Sequence, residues 1–144
     1  MSDEPRPTSA GIGRVLIAVY GILALAAIGR STYQIITKFD EAPLAYSLSA
    51  LAAVVYVLAT VALVARGSVW FRIAGIAIVF ELVGVLVVGT LSLIEPSLFP
   101  DDTVWSQFGR GYAFVPLVLP VLGLVWLRRV ARARTAVGRT EVSA

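Results

Sequence analysis

Residues 43–65 read PLAYSLSALAAVVYVLATVALVA, an apolar run without a charged side chain, preceded by Asp40-Glu41 and closed by Arg66. A helix of about 20 residues spans the roughly 30 Å hydrocarbon core of a bilayer. Pro43 suits the first turn of such a helix, because the N–H it lacks would have no intrahelical partner there. The stretch therefore reads as a transmembrane helix, and its neighbours follow suit. Upstream, residues 15–37 form a second apolar run, interrupted only by the polar patch from Arg30 to Gln34. Downstream, Trp70-Phe71-Arg72 has the aromatic and cationic character of a membrane interface and leads into a third run, 73–94, with Glu81 inside it. A fourth run, 111–127, is close to the minimum length for a crossing and contains Pro116 and Pro120.

Composition agrees. The 144 residues are 58% hydrophobic and only 15% charged, with a mean hydropathy of +0.87, well beyond the apolar content of soluble domains. Cysteine and histidine are absent, which removes disulfides, thiolate nucleophiles, imidazole ligation of zinc or haem, and the usual general base of hydrolytic triads. We expect no enzyme activity, no catalytic residue, no metal site and no cofactor. The net charge of +3 does not point to nucleic acid, since the arginines gather at the ends of apolar runs, where topology accounts for them.

The expected fold is an all-α membrane bundle of four transmembrane helices in the plasma membrane, spanning about 15–37, 43–65, 73–94 and 111–127. Together they make a transmembrane domain over 14–127, preceded by a disordered cytoplasmic lead, 1–13, and followed by a basic cytoplasmic tail, 128–144. Placing the N-terminus inside assigns Arg6, Arg14, Arg66, Arg72 and the tail arginines to the cytoplasm and leaves only Lys38 and Arg110 outside, so both termini are read as cytoplasmic. In the outer loop between helices 3 and 4, Asp101 or Asp102 would cap a short interfacial helix presenting Val104, Trp105 and Phe108 to lipid. Arg14, the run from Val15 and Ala24-Leu25-Ala26 also resemble a signal peptide. Asp3 and Glu4 spoil its basic start and the apolar pattern continues past Arg30, so helix 1 is read as retained.

Ionisable residues inside spans are costly, about 2.5–3.5 kcal/mol at the bilayer centre on insertion scales, and they mark candidate sites. The candidates are Arg30, Gln34, Tyr56 and Glu81. Glu81 and Tyr56 lie level when counted inward from Ile94 and Pro43, which pairs the Tyr56 hydroxyl with the carboxyl group. Helix 3 aligns Ala74, Ala77, Glu81, Gly84, Val88 and Ser92, and helix 2 aligns Ala45, Ser49, Ala53, Tyr56 and Thr60, two small or polar stripes suited to close approach in lipid. Glu81 is open to two readings, packing through a hydrogen bond or a proton or cation site. Arg30 is open to two as well: snorkelling to the outer interface, or lining an outward pocket with Gln34, Tyr46, Ser49 and Tyr112, near the carbonyl that Pro120 frees at Pro116. The arginines of the tail would attract anionic lipids besides setting topology.

The stretches Ala42-Pro43-Leu44-Ala45-Tyr46-Ser47-Leu48-Ser49 and Phe99-Pro100-Asp101-Asp102-Thr103-Val104-Trp105-Ser106-Gln107-Phe108-Gly109, followed by Gly111-Tyr112-Ala113-Phe114-Val115-Pro116, resemble those of uncharacterised small four-helix integral membrane proteins of actinobacteria. The resemblance implies location and brings no activity or substrate. The size is also similar to that of small multidrug-resistance transporters, but those carry their glutamate in the first helix, where this chain has Arg30. The resulting expectation is an accessory or scaffolding subunit that packs against itself or a larger membrane partner. The alternative is a small transporter or a lipid- or small-molecule-binding protein using Glu81 and Arg30.

Overall fold

The computed structural model describes residues 7–143, with side chains described over 11–139. The described residues are helical apart from turns and short links, with no strand. Each apolar run becomes a helix: α1 (Pro7–Lys38), α2 (Pro43–Val64), α3 (Ser68–Ile94) and α4 (Val115–Ser143). Gly11–Glu41, Pro43–Val64 and Ser68–Ile94 are each long and apolar enough to cross a membrane. A fourth crossing exists if Ser106–Tyr112 and Val115–Arg139, bent by 98° at their junction, form one broken span.

Helix ends differ from the sequence reading in both directions. The lead assigned to 1–13 is helical from Pro7 onward, and residues 1–6 lie outside the described residues. Pro7 is a favourable helix start, and Gly13 is buried against α4, so close that a Cβ there would come within 2.7 Å of the Trp126 ring. Glycine at this position is a contact point, which outweighs its weak helix propensity. Trp70, Phe71 and Arg72 belong to the first turns of α3. Likewise the tail at 128–144 is the continuation of α4 through Ser143, favoured by alternating Ala and Arg, both good helix formers.

The helices run up and down, each packed on its neighbour in the chain, while α1 and α4 meet only sparingly. Arg14, Arg66, Arg72 and the arginines of α4 gather at one end, the basic end, where the Arg134 guanidinium lies 4.9 Å from the centre of the Phe71 ring. The opposite end carries the α1–α2 turn and the 95–114 segment, and we call it the capped end. Inward-facing positions recur at three and four residues: Leu16, Tyr20, Leu23, Ala27, Ser31 and Gln34 on α1, and Leu119, Gly123 and Leu127 on α4. The two stripes foreseen on helices 2 and 3 lie on buried faces, with Thr60 and Gly84 partly covered.

The 95–114 segment departs most from expectation. It contains two 3-10 turns, Pro96–Leu98 and Ser106–Tyr112, and the second includes left-handed backbone at Gln107, Phe108 and Gly109. No interfacial helix presents aromatics to lipid. Val104 and Trp105 are 1% and 2% exposed, and Phe108 is half-buried against α3. The reason is the length of α4. Its apolar part, Val115 to Leu127, rises about 20 Å, some 10 Å short of a hydrocarbon core. The loop folds inward over the end of this short apolar stretch.

Candidate functional site

Two polar centres lie inside the bundle, joined by the inward-folded loop. Val104 N–H donates to Ser49 Oγ at 3.3 Å, and Gln107 N–H donates to Ser92 Oγ at 2.8 Å. Ser49 lies about 9 Å along α2 from Pro43, so the loop backbone dips that far below the end of the helix. Backbone at such depth is tolerated in a membrane only where protein satisfies its polar groups. The Ser106 hydroxyl accepts from Thr103 N–H at 2.8 Å, and Thr103 Oγ1 accepts from Trp105 N–H at 3.0 Å. Ser49 and Ser92, read from sequence as members of packing stripes, are acceptors for this plug.

From the plug the Trp105 side chain points deeper. Its ring lies on Gly84, where a Cβ would stand 2.6 Å from the indole, and Phe108 lies on Gly89 in the same way at 2.5 Å. Gly84 is about 15 Å along α3 from Ile94, so the indole reaches the middle of the bundle. There its Nε1–H donates to the Tyr56 hydroxyl at 2.9 Å. The Tyr20 and Tyr56 rings meet at 6.3 Å between centroids and 49°, an ordinary tilted aromatic pair. Tyr20 in turn donates its hydroxyl to Glu81 Oε2 at 2.7 Å. Glu81, Tyr20 and Tyr56 are all 0% exposed.

Glu81 is thus in the interior, but the partner inferred from sequence is replaced. Tyr20 holds the carboxyl group, while Tyr56 accepts from Trp105. The depth count that paired Glu81 with Tyr56 assumes helices that end flush. Tyr20 lies eighteen residues from Lys38 and Glu81 thirteen from Ile94, about 8 Å apart by rise alone, yet their side chains meet. Glu81 Oε1 has no hydrogen-bond partner among the described residues.

The second centre is at the capped end. Arg30 donates to the carbonyl of Asp102 at 3.0 Å, a loop acceptor, instead of approaching Pro116 as Pro120 suggested. It lines a pocket with Asp102, Thr103, Ser106, Gln107, Arg110 and Gly111. Tyr46, Ser49 and Gln34, foreseen beside Arg30, are engaged or placed otherwise. Tyr46 donates to Asp101 Oδ2 at 2.9 Å, Ser49 holds Val104, and Gln34 is buried with no partner for its Oε1 among the described residues. Asp101 also faces Lys38 at 3.7 Å. Partial burial pushes the Asp101 carboxyl up, but the Tyr46 hydroxyl, the Asp102 N–H, Lys38 and Arg30 outweigh it and hold the group below its ordinary value.

The sequence singled out Glu81 and Tyr56 of this buried layer and missed Tyr20 and Trp105. Tyr20 was recoverable, since it shares the inward spacing of Leu16, Leu23 and Ala27. Among the described residues no three His, Cys, Asp or Glu side chains come together as a metal site would require. No protein-family model, curated protein or solved structure matches the chain significantly.

Proposed function

We propose that the chain is a four-span plasma-membrane protein with both termini in the cytoplasm, acting as an accessory or scaffolding subunit rather than an enzyme or carrier. The observation that carries this is the closure around Glu81. A coupling carboxylate must exchange protons or cations with water on alternate sides, whereas Glu81 has no exposed surface and is held by Tyr20 below the Trp105 plug. What remains available to a partner is the apolar flank of the bundle, including a groove of about 420 Å³ lined by Ile28, Val54, Val57, Leu58, Val61 and Trp70. Small residues on α2 and α3 pack the bundle internally, and the flank offers either lipid or another helix a complementary face.

The orientation draws support from arginine placement, since the antiparallel arrangement collects most arginines at the basic end and leaves Arg30, Lys38 and Arg110 at the other. With no native cysteine, single-cysteine labelling is clean. Ser97→Cys, exposed at the capped end, should react with an impermeant thiol reagent on intact cells, and Ser68→Cys, exposed at the basic end, should not. Labelling of Ser68→Cys from outside overturns the topology. For the accessory role, affinity purification in mild detergent should recover a stoichiometric membrane partner or a stable homo-oligomer. Glu81→Gln should retain it. A monomer that shows pH-dependent transport abolished by Glu81→Gln would replace this function with the carrier alternative.

A further inference from the structure

The polar pocket at the capped end holds about 390 Å³ and has a composition that the stability of the bundle does not explain. Its two arginines come from distant parts of the chain, Arg30 from α1 and Arg110 from the plug. Each spends one described hydrogen bond on a neutral acceptor, the Asp102 carbonyl at 3.0 Å and Gln107 Oε1 at 3.2 Å. A guanidinium has five N–H donors, so most of both forks remain free for another acceptor. Among the described residues neither guanidinium is within salt-bridge distance of a carboxylate, Asp102 in the same pocket included, and Asp101 is paired with Lys38.

Arg30 lies about 12 Å along α1 from Lys38, a depth at which a cation is costly without compensation. Snorkelling alone would explain an arginine that reaches the surface. It does not explain a second arginine converging on the same pocket from a strained turn. The backbone at Gln107 and Phe108 has φ of 52° and 62°, a region that strains an ordinary residue, and this turn is what leads directly to Arg110.

We propose that Arg30 and Arg110 bind a phosphate-type oxyanion at the capped face, supplied by the phosphodiester of an anionic lipid headgroup or by a soluble phosphate. Two planar forks facing one pocket suit the bidentate recognition of phosphate oxygens. The site does not depend on the accessory role or on which leaflet the capped end faces.

The test uses the full-length protein in two arms. Phosphatidylglycerol is titrated into phosphatidylcholine nanodiscs and lipid retention is read by native mass spectrometry, and inorganic phosphate is titrated in neutral detergent by calorimetry. Arg110→Gln, at an exposed position, and Arg30→Gln should each weaken binding about tenfold, the loss of a charge-assisted hydrogen bond. Arg128→Gln with Arg132→Gln at the basic end should leave phosphate binding and the Arg110-dependent part of phosphatidylglycerol retention unchanged, since the tail arginines attract anionic lipid by themselves. Retention of phosphatidylglycerol identifies the lipid source, and phosphate binding without lipid retention identifies the soluble one. The site is refuted if the wild type prefers neither ligand, if only the basic-end variant loses binding, or if Arg110→Gln binds within about twofold of wild type. Because Arg110 is exposed, its variant decides the matter even if Arg30→Gln fails to fold.

Discussion

Glu81 and Arg30 are the two acidic or basic side chains lying within the apolar runs, and the structure puts them in opposite circumstances. Glu81 is enclosed on every side, held by Tyr20 and covered by the plug whose Trp105 bonds Tyr56. Arg30 opens onto a pocket at the capped end, facing a backbone carbonyl and a second arginine. A polar group in the first setting acts on folding, because its bonds are internal and water cannot replace them. In the second setting it is available for binding, because one described acceptor, the Asp102 carbonyl, takes up only part of its donor fork. Breaking bonds in the enclosed layer should therefore show as lost stability, and breaking them at the mouth as lost affinity.

The largest effect belongs to Trp105, where the two regions join. Trp105→Ala removes the indole from its place on Gly84, deprives the Tyr56 hydroxyl of its donor and leaves the plug held only by its backbone bonds to Ser49 and Ser92. Large-to-small changes of this kind cost about 3–5 kcal/mol, so thermal unfolding in detergent should drop sharply. A Trp105→Ala protein as stable as wild type would mean that the plug is not part of the core, and the contrast between the two regions would fail.

A smaller effect is expected at Glu81 itself. Glu81→Leu strands the Tyr20 hydroxyl in an apolar interior and should cost about 1–3 kcal/mol. Glu81→Gln keeps a carbonyl acceptor for Tyr20 and should cost less. Tyr20→Phe combined with Glu81→Leu should recover part of the loss, since replacing both partners leaves nothing unsatisfied. If the double variant is no better than Glu81→Leu alone, the carboxyl group is held by something other than Tyr20.

What the sequence revealed follows the same division. α2 and the stripes on α2 and α3 were legible because length, apolarity and small-residue spacing are local properties that lipid reads directly. The plug was not. Gly84, Gly89, Ser49 and Ser92 signal that something approaches α2 and α3 closely, but periodicity does not say whether the approaching body is another helix or the chain's own loop. Apolar residues between two spans also look alike whether they face lipid or protein, so periodicity turns Val104 and Trp105 outward. The one clue was the shortness of the 111–127 run, which left a gap that only the 95–114 segment could fill. Arg30 was legible as a site residue from its depth, whereas its companions Gln107 and Arg110 depended on that fold of the loop.

The smallest predicted effect lies at the rim, at Asp101, and it measures how firmly the plug is tied to α1 and α2. The folded state holds this carboxyl below its ordinary value, through the Tyr46 hydroxyl, the Asp102 N–H, Lys38 and Arg30, against the opposing effect of partial burial. A depressed folded value means the folded protein favours the carboxylate. The stabilisation is therefore complete above the unfolded value, near 3.9 for aspartate, and disappears as pH falls through the lower folded one. Its size is limited because Asp101 and Lys38 are each about a third exposed and screened by solvent, which places such pairs at or below about 1 kcal/mol. Asp101→Asn should accordingly be slightly less stable than wild type at pH 6, and the two melting curves should converge as the pH is lowered toward 3. Comparing the two proteins at each pH cancels the titration of every other acid. A gap that stays constant down to pH 3 would show that Asp101 contributes through shape alone and that its charge does not tie the plug to Lys38 and Tyr46.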